Sequence, residues 1–214
     1  MLKRLAIAAV AVVVILVAVI SMQPATYKVE RSLDMSAPAA AVFPLVNDYK
    51  ARVAWYPWDK LDPNQKRTYS EPSSGVGASY GWDGNDQVGK GSQKMTLSKV
   101  NERIEEELHF ITPMESTARV SFAFAPAGEG TKITWTLEGD NDFMGKAFGL
   151  VMSMDKMIGP DFESGLAALK TASEKLAAEQ AAAAKAAAEA AAAAATAAAE
   201  AEKLKATEAA AAAE

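Results

Sequence analysis

Hydrophobic residues fall along this chain in three regimes. From Leu5 to Met22 they run without a charge, 18 residues of Ala, Val, Ile, Leu and Met with a single Ser, behind Lys3 and Arg4. From Pro24 to Leu176 they come in short alternating or helically spaced runs. From Ala177 onward large apolar side chains disappear except for Leu204. The first regime meets the ~17–25 residues needed to cross a bilayer. It predicts an anchor over residues 1–23, embedded through residues 5–22. Cations before the run keep that end cytoplasmic and the rest of the chain extracytoplasmic. A cleaved signal peptide is the alternative. The run exceeds the ~7–15 residues of a signal core, and Val19-Ile20-Ser21 is a poor cleavage site, so the uncleaved anchor is preferred.

The middle regime, residues 24–176, reads mainly as strands. Tyr27, Val29, Leu33 and Met35 share one face of the first, opposite Lys28, Glu30, Ser32 and Asp34, with Arg31 alone among the apolar positions. Ser36-Ala37-Pro38 reads as a helix start with Ser36 as cap, and that helix runs to about Asn47, imperfect because of Pro44. A second short helix or turn covers Ala51 to Trp55. Strands follow at Ala78–Trp82, Gln93–Val100, Arg103–Ile111, Ser116–Ala125 and Thr131–Glu138. Short links such as Pro126 to Gly130 suit hairpins, which give an antiparallel meander with one covered face.

The covering layer is predicted from Phe143 onward. Pro160 fits the first turn of a helix, with Asp161 and Glu163 at its positive end. Phe162, Leu166, Leu169, Ser173 and Leu176 then recur at helical spacing. The economical arrangement is α+β, a curved antiparallel sheet around a long C-terminal helix. Nothing after Gly165 breaks a helix, so helicity should continue into residues 177–214, where 25 residues are Ala. That tail, about 57 Å long if fully helical, predicts a spacer or a weak alanine-packed contact with an envelope partner.

Composition narrows the chemistry. The net charge is -5, and the tail supplies much of it with six Glu against three Lys. The middle lacks a basic stripe, which excludes nucleic acid as a partner. Cysteine is absent, so disulfides, thiol nucleophiles and Cys-based metal sites are excluded. The single histidine, His109, falls on the polar phase of its strand with Glu105 and Glu107, which points to a solvated face rather than a base or metal ligand. No catalytic residue, metal ligand or cofactor is assigned. Arg31 and Glu106 lie on apolar phases, and a charge there needs a partner. They are expected to pair with each other or to be turned outward by a bulge. The glycines from Gly77 to Gly91 read as turns and bulges.

Several stretches resemble the SRPBCC, or START/Bet v 1-like, superfamily, nearest its polyketide cyclase/dehydrase-like branch. They are Trp55-Tyr56-Pro57-Trp58 with Asp59 to Pro63, Gly75 to Asn85, Gly89-Lys90-Gly91, Gly130 to Trp135, and Ile158 to Leu166 with Leu169-Lys170. The resemblance covers about residues 25–176. It implies a helix-grip fold with a cavity between sheet and long helix, used by members to hold lipids, sterols, hormones or polyketides, and it carries over no catalytic motif. Cavity candidates are Arg31, Trp82, Met95, Glu106, Leu108, Phe122, Trp135, Phe148, Met152 and Phe162. The expected function is a protein anchored in the inner membrane of a bacterial envelope that binds a hydrophobic small molecule or lipid. An enzyme of cyclase or dehydratase type on an apolar substrate, and an envelope scaffold or assembly factor, are the alternatives.

Overall fold

The computed structural model describes residues 1–211, with backbone alone at 202 and 204–211. The last three residues of the tail and the side chain of Leu204 lie outside that description.

The uncharged run folds as one helix, α1 (Leu2–Ser21), long and apolar enough to cross a membrane. Nearly all its side chains are exposed, with Ile20 the exception. Seven antiparallel strands follow: β1 (Thr26–Met35), β2 (Lys66–Tyr69), β3 (Ser79–Asp83), β4 (Lys90–Lys99), β5 (Arg103–Thr112), β6 (Ser116–Ala127) and β7 (Gly130–Asp140). Their order is β1-β7-β6-β5-β4-β3-β2, with every neighbour antiparallel. Alternation fixes the register. Val29, Ile104, Val120, Phe122, Ile133, Trp135 and Leu137 are buried on one face, and the intervening charges stay in water. Gly128, at φ 61°, turns the two-residue link from β6 to β7.

Between β1 and β2 lie α2 (Ala39–Asn47), one 3-10 turn (Ala51–Ala54) and α3 (Trp58–Leu61). Ser36 does not cap α2. The N-cap is Pro38, and Ser36 instead donates through its backbone N–H and its hydroxyl to Glu174 Oε1, at 3.1 and 2.5 Å. α4 (Phe143–Gly149) is capped by Asp142, which accepts from Gly145 N at 2.7 Å.

The long helix, α5 (Met154–Ala211), begins a turn and a half before the position predicted from Pro160, so Pro160 is interior. A proline there removes one helical hydrogen bond. Two features keep the preceding residues helical. Ser153 Oγ accepts from Lys156 N at 3.3 Å, and Arg31 clamps Asp155 and Glu163 from either side of the proline. Phe162, Leu166, Leu169 and Ser173 are buried against the sheet. The chain forms two compact units, one from Met1 to Glu174 and one from Lys175 on. α5 continues unbroken from the first into the second. In the second unit, side chains from Ala178 to Ala201 are exposed, and Lys185 pairs with Glu189 at 3.9 Å.

Candidate functional site

The space between the sheet and α5 holds an aromatic layer. Trp135 on β7 stacks on Phe162 of α5, with ring centres 4.0 Å apart, and on Phe122 of β6 at 5.2 Å. Trp55 meets Trp135 edge-on at 5.7 Å, Tyr56 stacks on it at 5.9 Å, and Trp58 meets it edge-on at 5.8 Å. The Trp55-Tyr56-Pro57-Trp58 stretch therefore packs its three rings around one indole. Gly165 allows the approach, since a Cβ there would meet the Trp135 ring and the Pro57 ring.

Beneath this layer lies a buried polar cluster. Arg52, on the 3-10 turn, is 3% exposed and Glu106, on β5, is wholly buried. Both Glu106 oxygens accept from Arg52, Oε2 from Nη1 at 3.0 Å and Oε1 from Nη2. The remaining donors reach Val46 O at the end of α2, Nε at 2.9 Å and Nη2 at 2.7 Å. The guanidinium also lies 4.5 Å from the Tyr49 ring centre. Burial works against its charge, but the field and hydrogen bonds of Glu106 outweigh this and hold its pKa above the usual arginine value. Burial, with Glu106 nearby, pushes the Tyr49 hydroxyl up, and burial does the same at Tyr56, so both stay protonated.

Gln93 Nε2 donates to Tyr56 Oη at 2.9 Å. Gln93 Oε1, Trp135 Nε1 and Tyr49 Oη are buried without a hydrogen-bond partner of proper geometry. A buried polar atom left so costs ~1–3 kcal/mol. Tyr49 is offset by its closeness to Glu106, whereas Gln93 and Trp135 have no such charge beside them among the described contacts. Both meet at Tyr56, which bonds the one and stacks on the other.

Of the cavity candidates, Met95, Glu106, Leu108, Phe122, Trp135 and Phe162 are buried in this interior. Trp82 is half-buried near the β2 edge of the sheet, stacked on Tyr80 and donating to Val88 O at 3.0 Å. Arg31 and Glu106 neither pair with each other nor turn outward by a bulge. Arg31 faces α5, bonding Asp155 Oδ1 and Glu163 Oε1 at 2.7 Å each, while Glu106 takes Arg52. Asp155, then Glu163, raise the Arg31 pKa. Phe148 and Met152 do not line the interior. They are 50% and 45% exposed, because α4 ends at Gly149 and only α5 is long enough to cover the sheet. His109 lies on the outer face, its Nε2 3.4 Å from Glu115. A groove of about 420 Å³ opens on that face among paired charges such as Lys28 with Glu30 and Arg103 with Glu105, and one of about 620 Å³ is lined from both phases of the strands, by Tyr27, Glu106, Glu107, Arg119 and Asp140 among others.

Sequence reasoning missed Arg52, Tyr49, Tyr56 and Gln93. The available signal was Glu106 itself: a carboxylate on an apolar phase demands a cation from whatever covers it, and Arg52 lies in the covering segment.

The comparisons settle the family. Residues 26–174 match the family described as polyketide cyclase / dehydrase and lipid transport. The chain belongs to that family. Its fold is shared by a Thermobifida fusca protein solved by NMR, with 20% identity over 70% of this chain and 94% of that chain at TM-score 0.53. Mll3558 from Rhizobium loti matches with 18% identity over 69% and 95% of the two chains, TM-score 0.51. MLL2253 from Mesorhizobium loti matches with 14% identity over 70% and 98%, TM-score 0.50. At these identities the likeness extends to the fold alone. No curated protein sequence matches the chain. Within the family domain, the interior between sheet and α5 is aromatic at its upper layer and charged but internally neutralised below.

Proposed function

We propose that this family domain binds a hydrophobic small molecule or lipid between the sheet and α5, and that α1 anchors it in the membrane with the domain outside the cytoplasm. One observation carries the binding reading: Gln93 Oε1 and Trp135 Nε1, an acceptor and a donor, are both buried without a hydrogen-bond partner, and both residues contact Tyr56. A mostly apolar ligand carrying a few polar atoms would satisfy them and place its remainder among the rings of Trp55, Phe122 and Phe162. Binding sites of this kind are largely apolar with a few placed polar atoms. Glu106 is not free to act as a base, since Arg52 occupies both its oxygens. The polar cluster therefore serves to position the floor of the site.

The test is native mass spectrometry after gentle detergent extraction, followed by uptake into delipidated protein read from tryptophan emission. A retained ligand, or saturable quenching by a fatty acid, sterol or aromatic probe that Trp135→Phe weakens several-fold, supports the reading. A bare mass together with no uptake of any probe refutes it.

A further inference from the structure

The domain exposes an unusual run of large apolar side chains where α4 gives way to α5. Phe143, Met144, Phe148, Leu150, Val151 and Met152 fall within ten residues, and each is 42% exposed or more, with Val151 at 86%. Monomeric domains in water avoid such patches. The patch has a fixed address. α4 packs against α1. Asn141, just before α4, ties itself to the residues just after α1, its N–H donating to Ala25 O at 2.7 Å and its side chain to Pro24 O at 3.2 Å. The one buried residue of α1 is Ile20, at that same end.

The sheet register adds a second apolar element at this end. Tyr27 pairs with Gly139, Gly139 with Ala118, and Phe110 with Ser116, so the β5–β6 turn lies at the end of the sheet where β1 starts. That turn exposes Met114 at 62% and Ile111 beside it at 44%.

We propose that this end of the domain is a membrane-docking surface: the α4–α5 junction and the β5–β6 turn rest in the bilayer interface where α1 leaves the hydrocarbon. The proposal rests on reading α1 as membrane-spanning. A 20-residue helix is ~30 Å long, matching the hydrocarbon core, so its last turn reaches the interface and α4 lies level with it. The occupant is a lipid surface of no particular charge. Between Asp142 and Met157, Asp142 and Asp155 balance Lys146 and Lys156, leaving burial of apolar side chains as the driving term. Phe162 of the aromatic layer lies eight residues into α5, ~12 Å along the helix from its start. Docking thus brings the aromatic layer of the proposed binding site close to a source of apolar ligand.

The chain contains no cysteine, so single reporters can be placed in the full-length protein in neutral phosphatidylcholine vesicles. Met114→Cys and Val151→Cys carry an environment-sensitive fluorophore. Val13→Cys reports α1, and Val100→Cys, exposed in the turn between β4 and β5, reports the opposite end of the sheet. The expected result is quenching of labels 114 and 151 by lipids with spin labels near the headgroup, protection from iodide, and the reverse at 100. If label 13 is quenched deep in the bilayer while 114 and 151 stay open to iodide, the anchor stands and the docking surface is overturned. If 114 and 151 are quenched while 13 is not, the anchor reading fails, and the proposal, which sets this face beside a spanning α1, falls with it. Protection of 114 and 151 from iodide without lipid quenching assigns the face to a second copy or another protein, and the proposal falls. Val151→Asp should reduce lipid quenching at 114 without lowering the melting temperature.

Discussion

Glu106 has given up water entirely, and its ion-pair partner among the described residues is Arg52. Breaking a buried pair from one side costs ~3–5 kcal/mol, because the remaining charge is stranded. Glu106→Ala and Arg52→Ala should each lower stability by about that much in urea titrations. A double Arg52→Met, Glu106→Leu variant should recover most of the loss, since apolar isosteres often equal such a pair. A cost under ~1 kcal/mol for both single variants contradicts the geometry. Glu174 gives the opposite kind of residue. It is half-exposed, and Lys170 first, then the hydroxyl and N–H of Ser36, hold its carboxyl down to about 2 from 4.5. A depressed carboxylate stabilises fully above its unfolded value and loses that contribution as pH falls through the folded one. Thermal melts of wild type and Glu174→Gln should therefore differ at pH 7, with the wild type more stable, and converge between pH 4.5 and 2. Glu106 was legible in the sequence as a charge on an apolar phase, but its partner was not. Arg52 occupies a single 3-10 turn, too short to display a period, and its selection is a matter of three-dimensional packing.

Among the elements, the strands were the most legible, because a one-residue slip would expose Trp135 and Phe122 and bury charges. The sheet has that register, and the C-terminal helix covers it as its spacing predicted. The start of that helix was not legible. Proline at a helix start is the commoner pattern, and the local sequence contains no sign that Arg31, 124 residues before Asp155, clamps both sides of Pro160. The clamp lies at the surface, where solvent screens an ion pair, so its effect on global stability is small. Its local effect is larger, because the proline has already removed one hydrogen bond from this turn. Arg31→Ala should leave the midpoint of unfolding almost unchanged. By hydrogen exchange it should release the amides from Asp155 to Gly159 and spare those from Leu166 to Ser173. Equal loss of protection along both stretches would show that Arg31 supports the whole helix rather than its first turns.

The molecule as a whole joins regimes that composition alone separates: an uncharged run, an alternating domain and an alanine-rich helix. Composition marks these regimes well because each reflects a different solvent demand. It says little about the interior, where the fit of Trp55, Tyr56 and Trp58 around Trp135 depends on contacts between segments far apart in the chain. The junction between the domain and the tail tests this most directly. α5 crosses it without a break, so backbone structure is the same on both sides and only burial changes. Leu166 and Leu169 are 2% and 0% exposed, and losing a buried leucine costs ~2–5 kcal/mol. Losing both, with the rest of the cover, matches or exceeds the ~5–15 kcal/mol by which a domain is stable. Truncation before Leu166 should therefore leave no cooperative melt. Beyond Gln180 the exposed alanines offer almost no area to bury, at ~25 cal/mol per Å². Truncation after Gln180 should shift the melting temperature of the domain by no more than a degree or two, read by circular dichroism with the lost helical signal as an internal control. A fall of many degrees would mean that the alanine helix packs on the domain or on a second copy.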